Sequence, residues 1–282
     1  MSTSYTFSQL FTSSAISHIP PRLAVSIEGL DKCGKSYWAI MTAPDPIAVV
    51  TNDPGTLAVV ELARNQGKKI HVMPLHFPPP PPIVKRAADI NRAEWTEWVT
   101  AWDLHRKAMD AIIANKEIRT LVKDTETEVW HLAELSYFGK LQGNQNADVR
   151  TKLNADYQQL FWHVYNSRPD LNIILIHKWG KEYKREQQAD GTTKVDWTGN
   201  YERKGYNGLG FLVDAALCIG WDQVKRDFRL WIPEGRAVRY GSPFELIGKS
   251  WYARDEENPY GFGWVAMEMW PQTQVNPGYW GL

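Results

Sequence analysis

An apolar stretch, LAVSI at residues 23–27, runs almost directly into Gly29-Leu30-Asp31-Lys32-Cys33-Gly34-Lys35-Ser36. Helical character follows at residues 36–41 and stops near Pro44 and Pro46. The eight residues fit G-x-x-x-x-G-K-[ST], and a strand before and a helix after are the context that gives this pattern meaning. Gly29 and Gly34 allow the backbone to wrap tightly. The amides of Asp31, Lys32 and Cys33 then face one concavity, and the helix N-terminus adds its positive dipole end. Such a concavity suits phosphate oxygens. Lys35 is spaced to reach the β- and γ-phosphates of a nucleoside triphosphate, and the Ser36 hydroxyl to ligate Mg²⁺. Tyr37, on the first helical turn, completes the expected cofactor-binding set.

The rest of the chain repeats the strand–helix alternation. Short apolar strands are expected at residues 47–51, 69–73, 118–122, 172–176, 215–221 and 227–232. Helices are expected at 57–65, 89–115, 128–141 and 153–165. Strands alternating with helices imply an α/β fold with a mainly parallel sheet flanked by helices. Five prolines at residues 78–82 read as a stiff surface connector. In the long helix, Trp95, Trp98, Trp102, Met109, Ile112 and Ile113 share one face. A base-stacking platform and ordinary packing both fit that stripe, and packing is the stronger reading. Residues 143–147 are a polar break. Residues 178–210 lack periodicity and read as a functional loop. Three regions are expected: an arm at 1–20, a core at 21–221 and a small irregular β-containing extension at 222–282.

Composition narrows the function classes. The chain has 282 residues with 32 basic and 32 acidic side chains. Neutrality excludes a globally cationic nucleic-acid coat and leaves room only for a local basic groove. No apolar run is long enough to cross a bilayer, and no basic-then-apolar leader is visible, so no membrane is expected. Two cysteines, Cys33 and Cys218, make no disulfide framework or zinc spacing. A reducing cytoplasmic compartment is the simple expectation. Cys33 reads as a small tolerated residue rather than a redox switch, with a pKa lowered by the helix N-terminus, and so alkylation, as the alternative.

The metal-side carboxylate should end a neighbouring strand, and Asp124 does so after residues 118–122. Lys123 is an unusual residue for such a strand end. Thr125 or Thr127 is placed to cap the following helix. For the group that orients an attacking water, Asp53 lies at the C-terminal sheet edge, where open α/β sheets bind ligands. On turn chemistry alone the favoured reading is a plain turn residue before Pro54-Gly55. Glu28 and Glu126 are further candidates. His177 ends the strand at 172–176 and is either a γ-phosphate sensor or a structural histidine. Residues 178–239 carry 12 basic and 9 acidic side chains. Within them Lys178, Lys181, Lys184, Arg185, Arg203 and Lys204 interleave with Trp179, Tyr183, Trp197, Tyr201 and Tyr206. Cations on phosphates with aromatics on bases would suit single strands. A solvated surface or contacts to a neighbouring subunit's γ-phosphate are the alternatives.

Several stretches in order resemble the RecA-like P-loop ATPases of bacteriophages, the group of phage AAA-type ATP-binding proteins and single-strand annealing recombinases. They are RLAVSIEGLDKCGKS, APDPIAVVTNDPGT, LVKDTETEVWHLAELSYFGKL, NIILIHKWGKEY and TGNYERKGYNGLGFLVDAAL, within residues 22–221. The resemblance implies a RecA-like core, Mg²⁺-dependent ATP hydrolysis and assembly into a ring or filament. It implies single-stranded DNA as partner, with a phage single-strand-binding protein as a further one. It makes Lys35 and Ser36 the Walker A pair and Asp124 the Walker B acid. Asp53 falls where the superfamily often carries a catalytic glutamate, and His177 where it often carries a polar sensor. Locally, IEGLDKCGKS also resembles thymidylate kinases, with residues 178–185 as an imitation lid, so a nucleoside monophosphate kinase is the alternative. A nucleotide-gated assembly module with little turnover is the third reading.

Overall fold

The computed structural model describes residues 22–75, 77, 92–139, 147–188, 192–206, 208–209, 212–233, 248–256, 261–269 and 280. The expected arm at 1–20, the proline run at 78–82 and the polar residues 143–146 lie outside them.

Among the described residues, nine strands form one sheet. In chain order they are β1 (Ala24–Gly29), β2 (Ile47–Thr51), β3 (Ile70–Pro74), β4 (Thr120–Asp124), β5 (Asn172–Gln187), β6 (Thr193–Arg203), β7 (Ala215–Asp222), β8 (Asp227–Trp231) and β9 (Ser250–Tyr252). The described helices are α1 (Lys35–Thr42), α2 (Pro54–Asn65), α3 (Arg92–Ala114), α4 (Glu126–Phe138), α5 (Ala147–Ser167) and α6 (Phe262–Met269). The spatial order is β3-β2-β4-β5-β1-β7-β8-β9, with β6 paired to β5. From β3 to β7 every neighbour is parallel. The β7–β8 and β8–β9 pairs are antiparallel. The protein is thus α/β with a mostly parallel, mixed sheet.

Strands covered on both faces read as continuous apolar runs, and that is why their positions are plain in the sequence. Val25, Ile27, Val49, Val122, Ile174 and Ile176 join one core with α1, α2 and α6. Ala24, Val50, Leu121, Ile173 and Leu175 join the other with α3, α4 and α5. In α3 the stripe packs inward: Trp98, Trp102, Met109 and Ile112 are buried. Each such side chain contributes about 1.5–3 kcal/mol on burial. Trp95 sits at the rim, half exposed, and its indole donates to the Ser136 carbonyl at 2.8 Å.

Lys123 has a structural explanation. Its ammonium is buried, lies 2.7 Å from Glu126 Oε2 and faces the rings of Tyr157 and Phe161. Burial lowers its pKa, and Glu126 opposes that shift. An ion pair of this kind removes the penalty of one uncompensated buried charge.

The largest departure from the sequence reading lies beyond Ile176. Residues 178–203 belong mostly to a long antiparallel hairpin rather than an irregular loop. Residues 172–178 of β5 pair within the parallel sheet, and its outer half pairs with β6 from Trp179↔Arg203 to Gln187↔Thr193. Leaving the core removes the apolar signal, so a two-stranded ribbon exposed on both faces reads as a loop. After β7 the sheet continues into β8 and β9, and α6 packs in the α1 core through Phe262, Val265 and Ala266.

Candidate functional site

The glycine-containing loop at residues 29–36 joins β1 to α1 with Lys32 at φ 60° and Gly34 at φ 92°. Left-handed residues flanking Cys33 turn successive amides toward one side, the geometry of an anion nest. Packing also requires glycine at position 29, whereas at position 34 the left-handed backbone requires it. A Cβ at Gly29 would lie 2.5 Å from the Ile219 carbonyl oxygen of β7, and one at Gly34 would meet the Phe228 ring at 3.8 Å.

A cleft of about 590 Å³ opens beside this loop at the C-terminal edge of the sheet. Of the sequence-derived set, Asp31, Lys32, Gly34, Lys35, Ser36, Tyr37, Asp53 and Asp124 line it. Asn52, Gly55, Thr125 and Lys178 join them. The Ser36 hydroxyl donates to Asp124 Oδ2 at 2.5 Å. Thr56, in the first turn of α2, donates to the same oxygen and lies 3.4 Å from the Ser36 hydroxyl. Burial raises the Asp124 pKa; the two hydroxyls oppose that and Asp53 adds to it. The Asp124–Thr125 peptide is cis. Lys35 folds over its own loop and donates to the carbonyls of Gly29 at 2.8 Å and Leu30 at 2.6 Å.

Asp53 stands at the start of α2 and beside the cleft. It caps α2, accepting from the Gly55 amide at 2.8 Å, and it faces the cleft. Thr125 caps α4. Thr56 was missed in the sequence because a threonine after Asp53-Pro54-Gly55 looks like an ordinary first-turn residue.

Other expected site residues lie elsewhere. His177, Glu28 and Glu126 are on the opposite side of the sheet, among the groups beside α4 and α5. The His177 ring is buried, with Nδ1 3.2 Å from the Lys204 carbonyl oxygen. Burial first, and then the nearby Arg203 cation, hold its pKa well below the ordinary histidine range. Side chains alternate along a strand, so the next residue, Lys178, reaches the cleft instead. Glu28 accepts from the Trp179 indole at 3.1 Å and lies 3.9 Å from Arg203. Glu126 is held by Lys123 and Tyr157. Cys33 is half-buried with its pKa raised by burial, the reverse of the lowering that the alkylation alternative needs; Lys35 beside it only partly offsets the shift.

The six cations separate as well. Lys178 pairs with Glu128 at 2.6 Å in the cleft, and Arg203 is buried. Lys184 pairs with Glu186, and Lys204 with Glu202. Lys181 lies over the Trp197 ring at 4.8 Å. The Arg185 side chain lies outside the described residues. Residues 178–185, which imitated a kinase lid, form part of β5.

The hairpin has two unlike faces. Register places Trp179, Lys181 and Tyr183 with Trp197 and Tyr201 on one face. The Trp179 and Tyr201 rings stack at 6.1 Å, and Trp197 meets Tyr201 edge-on at 6.3 Å. Tyr183 and Trp197 are about half exposed. The other face carries the surface ion pairs Lys184–Glu186 and Lys194–Asp196.

Among the described residues, no cluster of three or more His, Cys, Asp or Glu could hold a metal by itself. No described helix is long and apolar enough to cross a membrane. No protein-family model and no curated protein matches the chain.

Proposed function

We propose that the chain is a P-loop ATPase of RecA-like fold that binds and hydrolyses ATP and acts on single-stranded DNA in phage recombination or replication. The observation that carries the reading is the meeting of Ser36, Thr56 and Asp124 at the mouth of the phosphate nest. Hydroxyls and one carboxylate beside a nest suit a Mg²⁺ ion whose remaining ligands are phosphate oxygens and water. Ser36 and Asp124 are the residues that would hold the ion. When bound, Mg²⁺ supplies neutralising charge on the phosphate oxygens.

The chain's own groups have distinct tasks. The amides between Gly29 and Ser36 bind phosphate oxygens. Lys35 and Lys178 bring positive charge to them. Asp124 and Thr56 fix the Ser36 hydroxyl. Asp53, on the open side of the cleft, orients the attacking water.

The aromatic face of the β5–β6 hairpin is the proposed contact for single-stranded DNA. Bases stack on Tyr183, Trp197 and Tyr201 whatever their sequence, and Lys181 neutralises phosphate. The hairpin is tied to the strand that leads into the loop, because Trp179 and Arg203 both approach Glu28, the residue before Gly29, on the far side of the sheet. Its modest charge makes binding by one subunit weak, and a ring or filament strengthens it through multivalency. In this reading the protein works in the host cytoplasm alongside a phage single-strand-binding protein.

The test is the rate of Mg²⁺-dependent ATP hydrolysis with and without single-stranded DNA. Stimulation that fades as salt rises supports the reading. Hydrolysis unaffected by DNA would remove the DNA part.

A further inference from the structure

The P-loop pattern describes phosphates and leaves the base of the nucleotide without a site. The fold supplies a direction. Ser36, Thr56 and Asp124 mark the γ-phosphate and metal end, and Asp124 belongs to β4, on the β5 side of β1. On its other side β1 borders β7, itself paired to β8. A nucleotide whose γ end faces Asp124 therefore extends its base toward the β7–β8 end of the loop.

That end presents two aromatic rings. Trp221 and Phe228 are a cross-strand pair near the C-terminal end of β7. Ile219 and Leu230, two positions from each, are buried with Trp38 and Ala39 of α1, so the pair shares the face that carries α1. The rings meet edge to face, with centroids 5.1 Å apart and planes at 81°. Phe228 is partly buried against Gly34, the last glycine of the loop. Trp221 is 44% exposed. Phe228 thus fixes the indole while leaving it accessible.

We propose that Trp221, held by Phe228, is the nucleobase subsite of the P-loop and takes the heteroaromatic base of a nucleoside triphosphate by stacking. The proposal rests on the nucleotide-binding reading above and adds to it the residue that distinguishes a nucleotide from a bare phosphate chain. An indole face stacks on any base, so the contact favours nucleotides over inorganic polyphosphate.

Calorimetric titration of the full chain with ATP and with inorganic tripolyphosphate, both with Mg²⁺, tests it. Wild type is expected to bind ATP more tightly than tripolyphosphate. Trp221→Ala should weaken ATP about tenfold and leave tripolyphosphate unchanged. Trp221→Phe should recover most of the loss. Equal ATP affinity in wild type and Trp221→Ala overturns the subsite while the P-loop reading stands. Equal weakening of ATP and tripolyphosphate also overturns it, since that reports a loosened loop. A wild type that binds neither ligand overturns the nucleotide reading and the subsite together.

Discussion

Ser36 and Asp124 meet at 2.5 Å although a complete strand, β5, separates β1 from β4 in the sheet. The hydroxyl crosses that gap because α1 starts over the strand ends. Asp124 is buried and held by Ser36 and Thr56. Asp124→Asn keeps the size of the side chain and removes its charge. ATP turnover should fall about 10–100-fold, with a higher Mg²⁺ requirement. A magnesium titration of the initial rate reads both effects, and an unchanged Mg²⁺ dependence would separate Asp124 from the metal.

Asp53 combines a helix cap with a place in the cleft. Asparagine caps as well as aspartate, so Asp53→Asn separates the two roles. The melting temperature should hold while kcat falls about 10²–10⁴-fold. Asp53→Ala should lower both, with about 1 kcal/mol lost from stability. Full turnover in Asp53→Asn would leave the residue as a cap alone.

The strand–loop–helix at residues 24–42 and the parallel core were legible in the sequence because both are local: a glycine pattern and runs of Val, Ile and Leu covered on two faces. Side-chain direction was not legible. His177 and Lys178 are adjacent, both polar and both at a strand end, and only the alternation of β5 about a known face tells which one enters the cleft. The same ambiguity put Glu28 among the candidates, while Glu126, at the start of α4, is drawn to Lys123 and Tyr157 instead. Thr56 became visible only when α2 was placed beside α1. The β5–β6 hairpin escaped because nothing buries its outer strands.

The two faces of that hairpin give a directional test. Trp197→Ala and Lys181→Ala, on the aromatic face, should each weaken binding to single-stranded DNA about fivefold or more, in line with stacking and phosphate contacts. Lys184→Ala, on the ion-paired face, should change it little. Fluorescence anisotropy with a labelled oligonucleotide compares them, and equal effects from both faces would contradict a face-specific contact.

Glu128 gives a pH signature. Hydrogen bonding from His131, reinforced by Lys178, lowers its pKa from the ordinary 4.5 to about 2 against the opposing effect of burial. A carboxylate lowered in the folded state stabilises it above the unfolded value, and that contribution disappears as pH falls through the folded value. Wild type should therefore melt higher than Glu128→Gln at pH 7, with the gap closing between about pH 4.5 and 2. Melting curves across that range check it, and a gap independent of pH would contradict the assignment.

Lys35 bears most directly on the central claim, since it folds over the loop that is read as the phosphate cradle. The deciding measurement is the steady-state rate of Mg²⁺-dependent ATP hydrolysis by wild type and Lys35→Ala, with folding verified by circular dichroism. The account predicts turnover in wild type and none above background in the variant. Equal rates in the two proteins would contradict it.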